Sequence, residues 1–103
     1  MDDVRTFTGT LTADLVLTSA RNLKDRRGPL RALVQKLKNQ DLAVAQVGPA
    51  DLIQRCFLSL SAVSSEEAQV HHLLDAAERI IFASGFEVGE LRRNIQVDSY
   101  HSG

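Results

Sequence analysis

The chain has no tryptophan, one cysteine, one methionine and two prolines in 103 residues, and aromatic residues make up only 5% of it. A single thiol closes no intramolecular disulfide and brings no second thiolate to a zinc ion, so Cys56 reads as a small buried hydrophobe rather than a staple, a ligand or a nucleophile. No apolar run approaches the roughly 18 residues that mark a membrane-spanning helix. The opening Met-Asp-Asp lacks the basic and apolar regions of a secretory signal. These absences predict a cytoplasmic protein with no membrane partner. Scarce aromatics also work against a broad base-stacking platform.

What is present is an ordinary globular composition, 44% hydrophobic and 24% charged, on a chain long enough for one core and one domain. The formal net charge of −1 conceals a strong asymmetry. Seven of the 12 Lys and Arg residues lie between Arg21 and Lys38, against Asp25 alone, which gives that segment +6. The 20 residues before it carry −2, and the residues after it carry −5 from nine acids and four bases. A sequence pI near 6.3 excludes a protein that coats nucleic acid with its whole surface, but it leaves room for a local basic patch.

Residues 6–18 alternate with period two. Phe7, Gly9, Leu11, Ala13, Leu15 and Leu17 share one face, and Thr6, Thr8, Thr10, Thr12 and Asp14 share the other. This is a strand covered on one side only. Asn22, with Asp25 three residues on, then marks a helix start, and Leu23, Leu30, Leu33, Val34 and Leu37 recur at helical spacing. Gly28-Pro29 interrupts that pattern, so the first turn is expected to be only loosely continuous with the rest of the helix. A short strand over 43–47 ends at Gly48-Pro49, a turn occupies 51–54, and a third strand spans 55–64 with Cys56, Leu58, Leu60 and Ala62 inward. Ser64 and Glu67 have capping-box spacing ahead of the stripe Val70, Leu73, Leu74, Ala77, Ile80 and Ile81, and Gly85 is placed to stop that helix. A last strand over about 91–99 points Ile95 and Val97 inward. Residues 1–5 and 100–103 are expected to be flexible tails.

The order is therefore β-α-β-β-α-β. It predicts an α+β, ferredoxin-like sandwich over residues 1–103: a four-stranded antiparallel sheet with two helices on one face and the first and third strands central.

Several stretches resemble a known group. The run from Ser19 to Arg27, with its Asn-Leu-Lys-Asp-Arg-Arg core, is similar to a Ser-Leu-Lys-Glu-Lys-Arg motif. Val44-Ala45-Gln46-Val47 is similar to a Val-Ala-Glu-Val strand, and Asp51-Leu52-Ile53-Gln54-Arg55-Cys56 to an Asp-Leu-Trp-Gln-Arg-Ala segment. In this order, over roughly residues 8–98, the motifs resemble the YlxP-like family of small uncharacterised bacterial proteins. The resemblance implies a bacterial cytoplasmic protein with a ferredoxin-like fold, encoded among translation-initiation and ribosome-maturation genes. It implies no reaction. Ile53 replaces the family's Trp, Gln46 replaces its Glu, and Gly28-Pro29 interrupts its first helix.

The basic segment is the candidate site. Arg21, Lys24, Arg26, Arg27 and Arg31 surround a helix N-terminus, where unpaired backbone N–H groups and the helix dipole favour an anion, and Lys36 and Lys38 extend the patch. The expected partner is RNA or a ribosomal component. The bland alternative is a solvated helix face paired in part with Glu66, Glu67, Asp75 and Glu78. A second class of function is a small oligomerising or regulatory domain that binds a protein or small ligand; homodimers could form through edge strands or around Phe57 and Val63. Phe57 is the one aromatic on the central strands' open face, among Thr8, Thr10, Thr12, Ser59 and Ser61. A phosphate-handling enzyme of this topology would cradle its ligand in a glycine-rich loop, and residues 18–21 contain no glycine. Adjacent His71 and His72 point about 100° apart on a helix and do not share a metal. No cofactor is expected.

Overall fold

The alternating and helical stretches become six elements in the computed structural model, which describes residues 3–101: β1 (Asp3–Val16), α1 (Leu23–Lys38), β2 (Ala43–Val47), β3 (Arg55–Ser64), α2 (Glu67–Phe82) and β4 (Glu87–His101). The sheet is antiparallel throughout, in the order β2-β3-β1-β4. The ferredoxin-like expectation and the central placing of β1 and β3 are met.

The period-two rows decide which face is dry. Leu11, Ala13 and Leu15 of β1 lie opposite Leu60, Leu58 and Cys56 of β3, and all are essentially inaccessible. Against them pack Leu30, Leu33 and Leu37 of α1 and Val70, Leu74, Ala77 and Ile81 of α2. Each such leucine contributes roughly 1.5–3 kcal/mol by leaving water. Gly9 lies in the inward row where α2 comes closest. A Cβ built there would stand 2.4 Å from Val70 Cγ1 and 2.7 Å from Leu74 Cδ1. The helix seats in a notch that only glycine leaves open.

Four expectations are corrected. The first and last strands, β1 and β4, are longer than their apolar patterns: Asp3 pairs with His101 and Val4 with Tyr100, so 3–5 and 100–101 are strand rather than tail. The other tail residues, 1, 2, 102 and 103, lie outside the described residues. Because β3 pairing stops at Phe7 and Ser64, the ends of β1 and β4 run on as a two-stranded ribbon, and the molecule measures 59 × 23 × 20 Å. Within β4, Gly89 is the extra residue of a bulge between the Asp14–Glu90 and Leu15–Val88 pairs.

Second, α1 is one helix with Pro29 inside it. Its first turn is held independently of the bond that proline removes. The Asn22 side chain accepts from the Asp25 N–H, the Asp25 carboxylate accepts from the Arg21 N–H, and Arg26 is anchored from the β2–β3 loop. Third, Ser64 and Glu67 form no capping box. Ser64 remains the last residue of β3, its Oγ accepts from the Glu66 N–H, and the helix starts one residue later with Glu66 as an N-cap lacking a side-chain bond. Fourth, Val97 shares the inward row but stands beyond the core and is 60% exposed.

Candidate functional site

The seven cations of the basic segment do not act as one group. The row Arg26, Leu30, Leu33, Leu37 is the buried side of α1. Arg26 therefore points inward, although it was expected among the anion-binding residues. One terminal nitrogen donates to the Leu52 and Arg55 carbonyls at 2.7 and 2.8 Å, and the other donates to the Ala50 carbonyl at 3.0 Å. A planar fork with several donors suits this task, because it satisfies three loop carbonyls at once. The carbonyl dipoles stabilise the charge and commit the guanidinium to the loop junction, at the inner wall of the groove between α1 and β2.

Gln54 completes the same junction. Its side-chain amide donates to the Thr18 and Ala20 carbonyls, and its own carbonyl accepts from the Leu17 N–H. The β1–α1 and β2–β3 loops are thus joined at one end of the sheet and fixed to α1.

The remaining cations are exposed. Arg27, Arg31 and Lys38, spaced four and seven residues apart, rim a groove of about 640 Å³ between α1 and the edge strand β2. Leu30, Val34 and Val44 form its apolar floor. Lys24 lies about 20° round the helix from Arg31 and belongs to the same flank. Arg21 sits at the helix entrance, where it lines a second depression with Ile53 and Gln54. Lys36 is about 140° round the helix from Arg31, on the other side of the buried row, and does not extend the patch. From Lys24 to Lys38 the flank spans about 21 Å at the rise of an α-helix.

Among the described residues, none of these exposed cations forms an ion pair. The acidic second helix does not neutralise them, because Asp75 and Glu78 are both taken by Arg93 of β4, at 2.9 and 2.7 Å. The arginines of β3 and β4, namely Arg55, Arg92 and Arg93, all have carboxylate partners.

The open face of the sheet is polar. Thr12 and Ser59 share a hydrogen bond at 3.1 Å. Phe57 is on this face as expected, but the Arg55 guanidinium lies 5.0 Å from its ring centroid, so a base stacking there must first displace it. Arg55 also donates twice to Asp14, at 2.9 and 2.7 Å. That hydrogen bond holds the Asp14 carboxyl below the usual carboxylate range, against a smaller opposing push from burial. A lowered carboxyl stabilises the fold above its unfolded pKa of about 4, and the effect fades as pH falls through the folded value. The urea midpoint of Asp14→Asn should therefore lie below wild type at pH 6, and the gap should narrow as the pH falls below about 4.

Cys56 is fully buried, and burial pushes its thiol pKa up, with the Arg26 charge opposing. It is packed as expected of a core residue. Among the described residues no group of three His, Cys, Asp or Glu side chains is arranged to hold a metal ion. No helix is long and apolar enough to cross a membrane.

The profile of the family described as "Protein of unknown function (DUF503)" matches residues 8–93, from within β1 to the middle of β4. The chain belongs to this family. Among curated proteins, none matches this DUF503 chain. Its backbone is similar to that of the de novo designed protein Ferredog-Diesel, at 14% identity with a TM-score of 0.50, covering 84% of this chain and 83% of that one. Similarity also extends to the designed protein Foldit4, at 8% identity and TM-score 0.48, covering 95% and 99%. A C-terminal segment of the alpha subunit of aIF2 from Pyrococcus abyssi matches at 17% identity and TM-score 0.48, covering 84% of this chain and 51% of that one. At such identities the likeness is one of fold.

Proposed function

We propose that this DUF503 chain is a YlxP-like, cytoplasmic bacterial protein that binds RNA, in a ribosomal context, through the phosphate backbone along the outer flank of α1. The observation that carries this reading is the clustering of the exposed cations Lys24, Arg27, Arg31 and Lys38 on one flank without a carboxylate partner among the described residues; Arg55, Arg92 and Arg93 are paired, and Arg5 and Arg79, also without an ion pair, lie on other elements. Cations held that way cost stability by mutual repulsion and are relieved by an external polyanion. Arg21 stands at the N-terminus of the same helix, where the dipole adds to the field. The motif order shared with YlxP-like proteins supports the ribosomal context. The absence of a carboxylate pair or nucleophile–base pair in the groove supports binding without catalysis.

Binding to structured RNA and to isolated ribosomal subunits should weaken steeply with salt, because phosphate contacts release counterions. Reversing Lys24, Arg27 and Arg31 together to Glu should lower affinity at 0.1 M salt by about a hundredfold and flatten the salt slope by about 2–3. Filter binding and co-sedimentation at two salt concentrations measure both. No binding at low salt, or an affinity untouched by the triple reversal, contradicts the proposal. Arg26 must be left intact in this experiment, since its loss acts on folding.

A further inference from the structure

Beyond that surface, we infer that two copies of this chain pair through the free edge of β4, antiparallel about a two-fold axis at Ile95, to form one continuous eight-stranded sheet.

The sheet has two edges of very different character. β2 is 5 residues long and closes at Gly48-Pro49. β4 is 15 residues long, contains neither proline nor lysine, and has its one bulge at Gly89, near its start. Short strands, prolines, bulges and charged side chains, lysine above all, are the means by which sheet edges are kept from pairing. From Glu90 to Tyr100 the free edge of β4 has no proline, lysine or bulge, and its charges, Glu90, Arg92, Arg93 and Asp98, are of both signs. Arg93 points toward the helices, which on an edge can also deter pairing, but Asp75 and Glu78 already hold and neutralise it.

The charge pattern of the strand complements itself. Arg92 and Asp98 stand three residues to either side of Ile95 and point to the open face, opposite Thr12 and Thr6 of β1. A two-fold axis at Ile95 places Arg92 of each copy opposite Asp98 of the other, Asn94 opposite Gln96, and Ile95 opposite itself. Val97, 60% exposed, then lies against the stem of Arg93, and Tyr100, 67% exposed, against Glu90. Moving the axis to Asn94 sets Asp98 opposite Glu90, two like charges. Moving it to Gln96 leaves both Arg92 and Asp98 without an opposite charge. The register about Ile95 keeps helix-facing residues opposite helix-facing residues, so both pairs of helices lie on one face of the joined sheet. The α1 flanks then sit at its two outer edges, clear of the contact.

Sedimentation equilibrium and oxidative cross-linking of the full chain test this. Wild type should be dimeric at micromolar concentration. Asp98→Arg and Arg92→Asp should each weaken the dimer by about tenfold, since each replaces two attractive cross-strand pairs with two repulsive ones. The two changes together should restore it to within about twofold. Ile95→Cys should oxidise to a covalent dimer, because directly opposed strand residues lie within disulfide reach, whereas Gln96→Cys should not. Buried Cys56 supplies no competing thiol. A monomeric wild type overturns the inference. A dimer that ignores the charge exchange, or one cross-linked as readily through position 96 as through 95, overturns the register.

Discussion

Arg26→Met is expected to lower the unfolding free energy by about 3–5 kcal/mol, while Arg27→Met one position on should change it by less than about 0.5 kcal/mol. The two arginines are neighbours in sequence and opposites in setting. Arg26 is 6% exposed, and its three hydrogen bonds end on the carbonyls of Ala50, Leu52 and Arg55. Methionine keeps the apolar stem but leaves three carbonyls at a partly buried junction without donors, each at a cost of about 1–3 kcal/mol before relaxation. For a domain of about 100 residues the loss corresponds to a Tm lower by some 12 °C or more. Arg26→Lys should recover only part of it, because one ammonium does not reproduce a planar fork aimed at three acceptors. Thermal melts of the three variants decide the matter; equal Tm values for the Arg26 and Arg27 variants would show that the junction is not held by the guanidinium.

Gly9→Val should be as damaging, at about 3 kcal/mol or more, with Gly9→Ala near 2 kcal/mol. Glycine in a strand ordinarily weakens it, so alanine there would be expected to help by some tenths of a kcal/mol. The packing reverses that sign. The nearest atom to a new Cβ is Cγ1 of Val70, at 2.4 Å, and a helical valine has one strongly preferred rotamer, so it cannot swing away. Leu74 Cδ1, at 2.7 Å, is the end of a more adaptable side chain. Val70→Ala should accordingly relieve Gly9→Ala: the new methyl enters the space the valine vacates. The double variant should be more stable than the sum of the single losses by about 1 kcal/mol, measurable in a urea double-mutant cycle. Strict additivity would place the two residues out of contact.

The fold could be read from the sequence because its two periodicities are clean. The alternating Thr and apolar residues of β1, the Cys56 to Ala62 row of β3 and the Val70 to Ile81 stripe each specify a face, and faces specify the layers. The ends of β1 and β4 carried no such signal. Asp3-Val4-Arg5 and Tyr100-His101 bury nothing in the core; they are strand because of backbone pairing across nearly the whole chain. The candidate site was visible as a charge cluster but not as a geometry. Seven cations look alike in a count, and what separates Arg26 from the others is a contact with backbone 24–29 residues away. One signal was available: Arg26 stands in the row of Leu30, Leu33 and Leu37, the buried side of the helix. Helical phase also separates Lys36 from Lys38. The fate of Asp75 and Glu78 depended on the register of β4, which sets Arg93 opposite Leu11 and hence beneath α2, and no local pattern contains that.

The central position of β1 has a consequence for how the chain is made. Its two neighbours, β3 and β4, are synthesised long after it, and the pair Asp3–His101 joins the ends of the described chain. At the ordinary pace of translation, about 5–20 residues per second, the last residues of β4 follow those of β1 by roughly 4–17 s. Over that interval Leu11, Ala13 and Leu15 can gain β3 and the helices, but one whole edge of β1 stays open until the final strand arrives. The nascent chain therefore passes through a three-stranded stage with its longest strand unprotected along one side, and the strand that closes it follows the other five elements out of the ribosome.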